Sequence, residues 1–362
     1  MRRPDLRKWS RRTLITVALV AAALLTIRAT LPIAAQHYAN KIINETPNLQ
    51  GQVGDIDLHL WRGASSVYGI EINLVQGDKT VPLISVDAVH SSIEWRQLLN
   101  GALVGEIALR RPQFNIVAGA EKEGAESSQQ LAERMRDLMP LNINRFSVAD
   151  GSLHFRNLSV TPEVDVYVDQ IGLLATNLTN SEKVSDTLAA NVEGRGRVMQ
   201  SGELTLAMKL DPLALYPTFN LAVELKDLRL PELNEFLKYY MAVVARDGTF
   251  SMFTESTATE GSFRGYVKPV VKDLDILRLK PEKKSIGEVV KGFFAKILEA
   301  VFENKSKQQL ATKIEFSGTF ENPKVSVWSA ISNLLRNAFV QALDPSLEGS
   351  VAPAEAAKAK NK

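Results

Sequence analysis

Val53-Gly54-Asp55-Ile56-Asp57-Leu58-His59-Leu60, answered by Gly69-Ile70-Glu71-Ile72-Asn73-Leu74, decides the fold class. Ile56, Leu58 and Leu60 alternate with Asp55, Asp57 and His59, and Ile70, Ile72 and Leu74 alternate with Glu71 and Asn73. A period of two puts apolar side chains on one face of an extended chain and polar ones on the other. The same pattern returns at Ile107 and Leu109, at Val164, Val166 and Val168, and at Leu204, Leu206 and Met208. It returns again at Leu221, Val223 and Leu225 and at Ile314 and Phe316. Roughly fourteen such segments, split by turn residues such as Gln76-Gly77, Asp150-Gly151 and Asp247-Gly248, predict a mainly β protein.

Helical spacing is scarce. It predicts short helices at Gln129–Met139 and Glu232–Val244, and longer ones at Ile286–Phe302 and Trp328–Leu343. So few helices cannot cover the apolar face of so many strands, so the expected architecture is a curled, elongated antiparallel sheet. Tight closure makes that face a dry core. An open trough leaves it to line a groove, and strand stacking at ~4.8 Å sets a trough about 65 Å long.

The apolar fraction of 45% with 23% charged residues is that of a folded chain rather than a disordered one. Charge is uneven: Arg2, Arg3, Arg7, Lys8, Arg11 and Arg12 crowd the first twelve residues against Asp5, leaving 37 bases and 40 acids in the rest. A net negative body argues against nucleic acid as a partner, because polyphosphate binding needs clustered bases. With no cysteine, thiol chemistry and disulfides are excluded.

After the basic tip at 1–12, Thr13 to Ile27 carry no charge and span only about 22 Å as a helix at ~1.5 Å per residue. Continuing through Arg28 to Ala35 gives about 34 Å, enough for a ~30 Å hydrocarbon core if Arg28 snorkels to the interface. Residues 13–35 are therefore expected to be a transmembrane anchor, with the positive tip in the cytoplasm and residues 36–349 on the other side. A cleaved secretory signal shares the basic start and the apolar run, but it needs small residues after the run. The Ala-x-Ala spacing at Ala21 and Ala23 lies inside it. Both readings export the body. A tail at 350–362, rich in Ala and Lys, is expected to be disordered.

Candidate chemistry is thin. His37, His59, His90 and His154 lie in separate segments without a ligand-spaced neighbour, so neither a metal site nor a catalytic site is expected. Asp165 and Asp169 read as residues of a wet strand face. One element stands out: the 286–302 helix is basic and amphipathic, and Lys291, Phe293, Phe294, Lys296 and Ile297 are candidates for contact with an anionic membrane surface. Packing against the sheet is the plainer alternative.

Several stretches in order resemble the AsmA/TamB-like proteins, in the branch with an AsmA-like domain of unknown function. They are amphipathic Ala34 to Ile43; Trp95-Arg96-Gln97-Leu98-Leu99-Asn100-Gly101; Arg111-Pro112-Gln113-Phe114; and Ile143 to Phe155, which contains Ala149-Asp150-Gly151-Ser152. Next come Leu230-Pro231-Glu232-Leu233-Asn234, Gly261-Ser262-Phe263-Arg264-Gly265-Tyr266-Val267-Lys268-Pro269 and Gly318-Thr319-Phe320-Glu321-Asn322-Pro323. The resemblance implies a non-enzymatic protein of the bacterial inner membrane whose periplasmic β trough binds or conducts phospholipids. It implies no cofactor and no catalytic residue. Members regarded as bridges are much longer, so a local, regulatory or multi-copy role in lipid transport or outer-membrane homeostasis is the expectation here.

On that reading Ile56, Leu58, Leu60, Ile70, Ile72, Leu74, Ile107, Leu109, Val164, Val166, Val168, Leu204, Leu206, Met208, Leu221, Val223, Leu225, Ile314 and Phe316 are the lipid-contact candidates. The alternative is a structural or regulatory anchor with a closed core, which binds another envelope protein through a strand edge or its C-terminal helices.

Overall fold

The computed structural model describes residues 11–59, 62–76, 79–93, 104–118, 142–178, 190–211, 214, 216–279, 309–311 and 313–320. The chain forms two compact units, Met1–Arg110 with Lys122–Leu141 and Arg111–Glu121 with Asn142–Lys362. Three predicted helices, at 129–139, 286–302 and 328–343, lie outside the described residues, as do the tip at 1–10 and the tail.

The first unit holds α1 (Arg11–Glu45), β1 (Leu49–His59), β2 (Ala64–Gln76), β3 (Lys79–Ile93) and the start of β4 (Val104–Val117). Both β1–β2 and β2–β3 are antiparallel, and Gln76 pairs with Lys79, so the predicted Gln76-Gly77 reversal is borne out. One expectation fails: Ile56 does not share a face with Ile70, Ile72 and Leu74. Ile70 pairs with Val53 and Ile56 pairs with Val67, and the odd step of three from Val53 to Ile56 turns Ile56 to the opposite face. The change falls at Gly54 and Gly69, where Gly69 has φ +62°.

In the second unit β5 (Asn142–Asn157), β6 (Val164–Thr176), β7 (Ala190–Val198), β8 (Gly202–Asp211), β9 (Thr218–Arg229), β10 (Val243–Thr259) and β11 (Ser262–Arg278) pair antiparallel in chain order. Along the other edge of β11 lie β12 (Gln309–Ala311) and β13 (Ile314–Thr319). The expected purely antiparallel sheet needs correction at β4 and β5. Ala118 donates to Arg156 O at 2.7 Å, and a Cβ on Gly151 would lie 3.2 Å from Pro112 Cγ. Contacts that advance in the same sense along both strands mean a parallel pair. Parallel neighbours require a connection of a dozen or more residues, and 23 residues lie between Ala118 and Asn142 in the sequence.

The Asp-Gly pairs at 150–151 and 247–248, expected to be turns, lie inside β5 and β10. They are bulges. Asp150 has φ 57° and Gly248 φ 124°, and the register slips beside each. Gln170 on β6 and Asp227 on β9 repeat the device with φ 50° and 56° beside further slips, and Asp273 on β11, φ 51°, lies opposite the slip at Gly248. A bulge bends its strand and raises local twist, which lets strands of 16 and 17 residues curl without ending.

Between β9 and β10 a 3₁₀ turn (Leu230–Leu233) runs into α2 (Asn234–Met241). The helix predicted at Glu232–Val244 is present but shorter: its first residues lie in the 3₁₀ turn, and it stops before Val244, where Ala242 takes φ 53°, donates to Leu237 O and Lys238 O, and hands the chain to β10. The Leu-Pro-Glu-Leu-Asn motif has a task at nearly every position. Leu230 and Leu233 are buried, Glu232 accepts from the amides of Gln200 and Ser201 at 3.0 and 3.1 Å, and Asn234 exchanges two hydrogen bonds with the Ala245 backbone at 2.8 and 2.9 Å.

α1 ends as a clasp on the free edge of β1. Gln36, Asn40 and Asn44, four residues apart and so on one helix face, reach the β1 backbone. Asn40 Oδ1 accepts from Val53 N at 2.6 Å, Asn44 exchanges bonds of 2.9 and 3.2 Å with Gly51, and Gln36 donates to the carbonyls of Val53 and Gly54. Leu49 N donates to Thr46 O at 3.1 Å. Three amides thus do what a neighbouring strand would do, protecting an edge that otherwise invites pairing. The other half of α1 carries Ile15, Val17, Leu19, Val20 and Leu25, which are 47–66% exposed. Pro32 divides the two halves. Among the described residues no helix is long and apolar enough to cross a membrane; the side chains at 11–14, 23, 24 and 27 lie outside that set.

Candidate functional site

The sequence-predicted apolar positions fall into two environments. Ile56, Ile72, Leu74, Val164, Met208, Leu221, Leu225 and Phe316 are buried. Leu58, Ile70, Ile107, Leu109, Val166, Val168, Leu204, Leu206, Val223 and Ile314 are half-buried. Leu60 and the membrane-surface candidates Lys291, Phe293, Phe294, Lys296 and Ile297 lie outside the described residues.

Within the second unit the strand register brings many of them together. Met208 pairs with Leu221, Leu206 with Val223 and Leu204 with Leu225, so the apolar rows run straight across the strands. Met208, Leu221 and Phe316 join Val192, Leu210, Phe219 and Phe263 in one buried cluster, with Leu206 and Val223 packed at its margin. Leu225 joins a second cluster with Leu230, Leu233, Leu237 and Phe250, margined by Val166, Val168 and Leu204. α2 lies against this second cluster, and its Phe236 and Tyr240 meet Phe155 with ring centroids 6.4 and 6.1 Å apart. Tyr240 also accepts from Asn157 Nδ2 at 3.0 Å. The sheet face is therefore a packed core flanked by half-buried apolar rows.

No protein-family model matches the chain, and no curated protein matches it.

The opposite face of the same strands holds residues that the sequence did not single out. Register aligns Glu193, Ala207, Ala222, Glu255, Tyr266 and Glu315 in one row across β7, β8, β9, β10, β11 and β13. A second row, one step along, holds Asn191, Lys209, Asn220, Thr257, Arg264 and Ser317. Both rows line a cavity of about 900 Å³. The local hint was Ala207 and Ala222, small apolar residues at positions where the alternation calls for polar ones.

Within the cavity Lys313 Nζ bonds Glu315 at 2.6 Å and stands 4.8 Å from the centre of the Tyr266 ring. Burial first, and then the bond to Glu255, push the Tyr266 phenol above its ordinary value. A raised folded-state value means the folded protein holds its proton longer than the unfolded chain. This group's contribution is complete below pH ~10 and is lost as pH climbs beyond it. Glu255→Gln is expected to lower the Tyr266 titration, read as tyrosinate absorbance near 295 nm in a difference titration against Tyr266→Phe.

Three of the four histidines, His59, His90 and His154, are not isolated, contrary to expectation. His154 Nδ1 lies 2.9 Å from Asp165 Oδ1, Arg156 Nε lies 3.3 Å from the other oxygen, and the His154 ring stacks on Tyr167 at 5.4 Å. His90 meets Ser66 Oγ at 2.8 Å and His59 lies 3.5 Å from Asp57. Burial first, then Asp169, Asp165 and Glu232, raise the Tyr167 phenol. Eleven residues separate His154 and Asp165 in sequence, and only the β5–β6 hairpin joins them. Among the described residues no group of three or more His, Asp or Glu could hold a metal ion.

Proposed function

We propose that this chain is a single-pass protein of the bacterial inner membrane that binds phospholipid acyl chains along apolar strand faces of a periplasmic body, contributing to lipid transport or outer-membrane homeostasis. The observation that carries the reading is the pair of half-buried rows, Leu204, Leu206 and Val223 beside Val166 and Val168, left at the margin of the buried clusters. Acyl chains need only apolar area, about 0.8 kcal/mol per buried methylene, and no specific polar partner. The exposed apolar stripe of α1 supports the anchor, with Arg28 snorkelling to the far interface. An elongated trough built on the bulged strands belongs to the same proposal.

Photoreactive side chains at Leu206 and Val223 of the full chain are expected to crosslink phospholipid in membranes, while one at outward-facing Lys209 does not. Crosslinks to protein alone at both positions would refute lipid binding there and favour a structural or regulatory anchor. That second reading draws on the complete burial of Phe219, Val192 and Met208, which are packed as a closed core is packed.

A further inference from the structure

We propose that the cavity on the polar face of β7–β11 and β13 is a binding site for a neutral glycan. The site is built in register rather than scattered. Its two rows cross six strands, and at ~4.8 Å per strand they offer a polar track about 24 Å long. Ala207 and Ala222 lie side by side in the middle of one row, so the floor drops there while longer side chains stand on both sides. The hollow of about 900 Å³ falls within the size range of small-molecule sites.

Charge and pairing select the ligand class. Glu193, Glu255 and Glu315 are matched by Lys209, Arg264 and Lys313, so the lining carries no net formal charge. An anionic ligand would meet three carboxylates among the bases, and a cationic one the reverse. An acyl chain would strip water from the carboxylates, amides and ammonium groups of both rows, whose bonds to one another, Lys313 to Glu315, Asn191 to Glu193 and Tyr266 to Glu255, replace only part of that hydration. Along the track a peptide strand has no edge to join, because β7, β8, β9, β10 and β11 are each paired on both sides. Of the track's strands only β13, paired among the described residues with β11 alone, leaves an edge, and it lies at the end of the track. Hydroxyl groups, each both donor and acceptor, suit a wall that alternates carboxylates, amides, Thr257 and Ser317. Tyr266 adds an aromatic ring one strand beyond Glu255 from the alanine floor, its ring held by Lys313 and its hydroxyl by Glu255.

Saturation-transfer NMR on the full chain in detergent tests this with maltotriose, cellotriose and chitotriose, and with trigalacturonate as the anionic comparison. Transfer from at least one neutral trisaccharide is expected, with affinity falling at least tenfold in Ala222→Trp, which fills the floor, and in Arg264→Ala. Arg264 is exposed, so its variant keeps the test valid where the tryptophan prevents folding. Absence of transfer from all three neutral sugars, preference for trigalacturonate, or binding unchanged in Arg264→Ala would each overturn the proposal. Lipid crosslinking at Leu206 is independent of these outcomes, since that row lies on the opposite face.

Discussion

Phe219→Ala is expected to lower the stability of the second unit by about 3–5 kcal/mol, the usual cost of deleting a fully buried ring. Phe219 is 0% exposed, sits between Leu210 and Ala258 across its two neighbouring strands, and shares a cluster with Met208, Phe263 and Phe316. Removing it leaves a void that those neighbours cannot all refill, because their own rings are fixed in a reciprocal arrangement. Phe263 pairs with Gly318 and Gly265 with Phe316, and a Cβ on Gly318 or Gly265 would come within 2.5 or 2.6 Å of the facing ring. Each glycine clears the space that one ring occupies. Urea unfolding followed by far-ultraviolet circular dichroism measures the loss. A change below about 1 kcal/mol would mean that this face is a loosely filled groove rather than a close-packed core.

That outcome bears on how much of the molecule was legible beforehand. Alternation at Leu204, Leu206 and Met208 and at Leu221, Val223 and Leu225 identified strands and their apolar face correctly, because a period of two is a local property. The Asp-Gly pairs were misread for a physical reason. Turns and bulges both need a residue at positive φ, and whether the chain then reverses or continues depends on the partner strand, which the local sequence does not contain. The face change at Gly54 and Gly69 was hidden in the same way, since only the pairing of Val53 with Ile70 shows it. Histidine partners and the polar cavity are products of register. His154 finds Asp165 across a hairpin, and the Glu193-to-Glu315 row exists only once six strands are aligned. Pro231 marked the neighbourhood of a helix start because its effect is local, whereas the 3₁₀ opening that delays the α-helix to Asn234 and the end at Met241, just before β10 begins at Val243, depend on tertiary context.

Gly51→Val is expected to detach α1 from the edge of β1 and to cost about 2–5 kcal/mol, combining overpacking with lost hydrogen bonds. A Cβ at this position would lie 2.2 Å from Glu71 O and 3.1 Å from Ile43 Cγ2. The first is backbone of the paired strand and the second is the buried contact of α1, so neither can yield without moving an element. Displacing α1 breaks both bonds between Asn44 and Gly51 and draws Asn40 away from Val53. Hydrogen exchange at the Val53 amide reads this directly, and protection there should fall by two to three orders of magnitude if opening becomes easier by about 3–4 kcal/mol. Asn40→Ala separates the clasp from strand distortion: it removes the Val53 acceptor without crowding β2, so Val53 should lose protection while Ile72 and Val86 keep theirs. If Val53 stays protected in both variants, the amide ladder does not hold the edge. If it opens in both, a pull on the apolar half of α1 beyond Pro32 has a defined end point, the exposed edge of β1, and the helix proposed to sit in the membrane also governs whether that edge is free to pair.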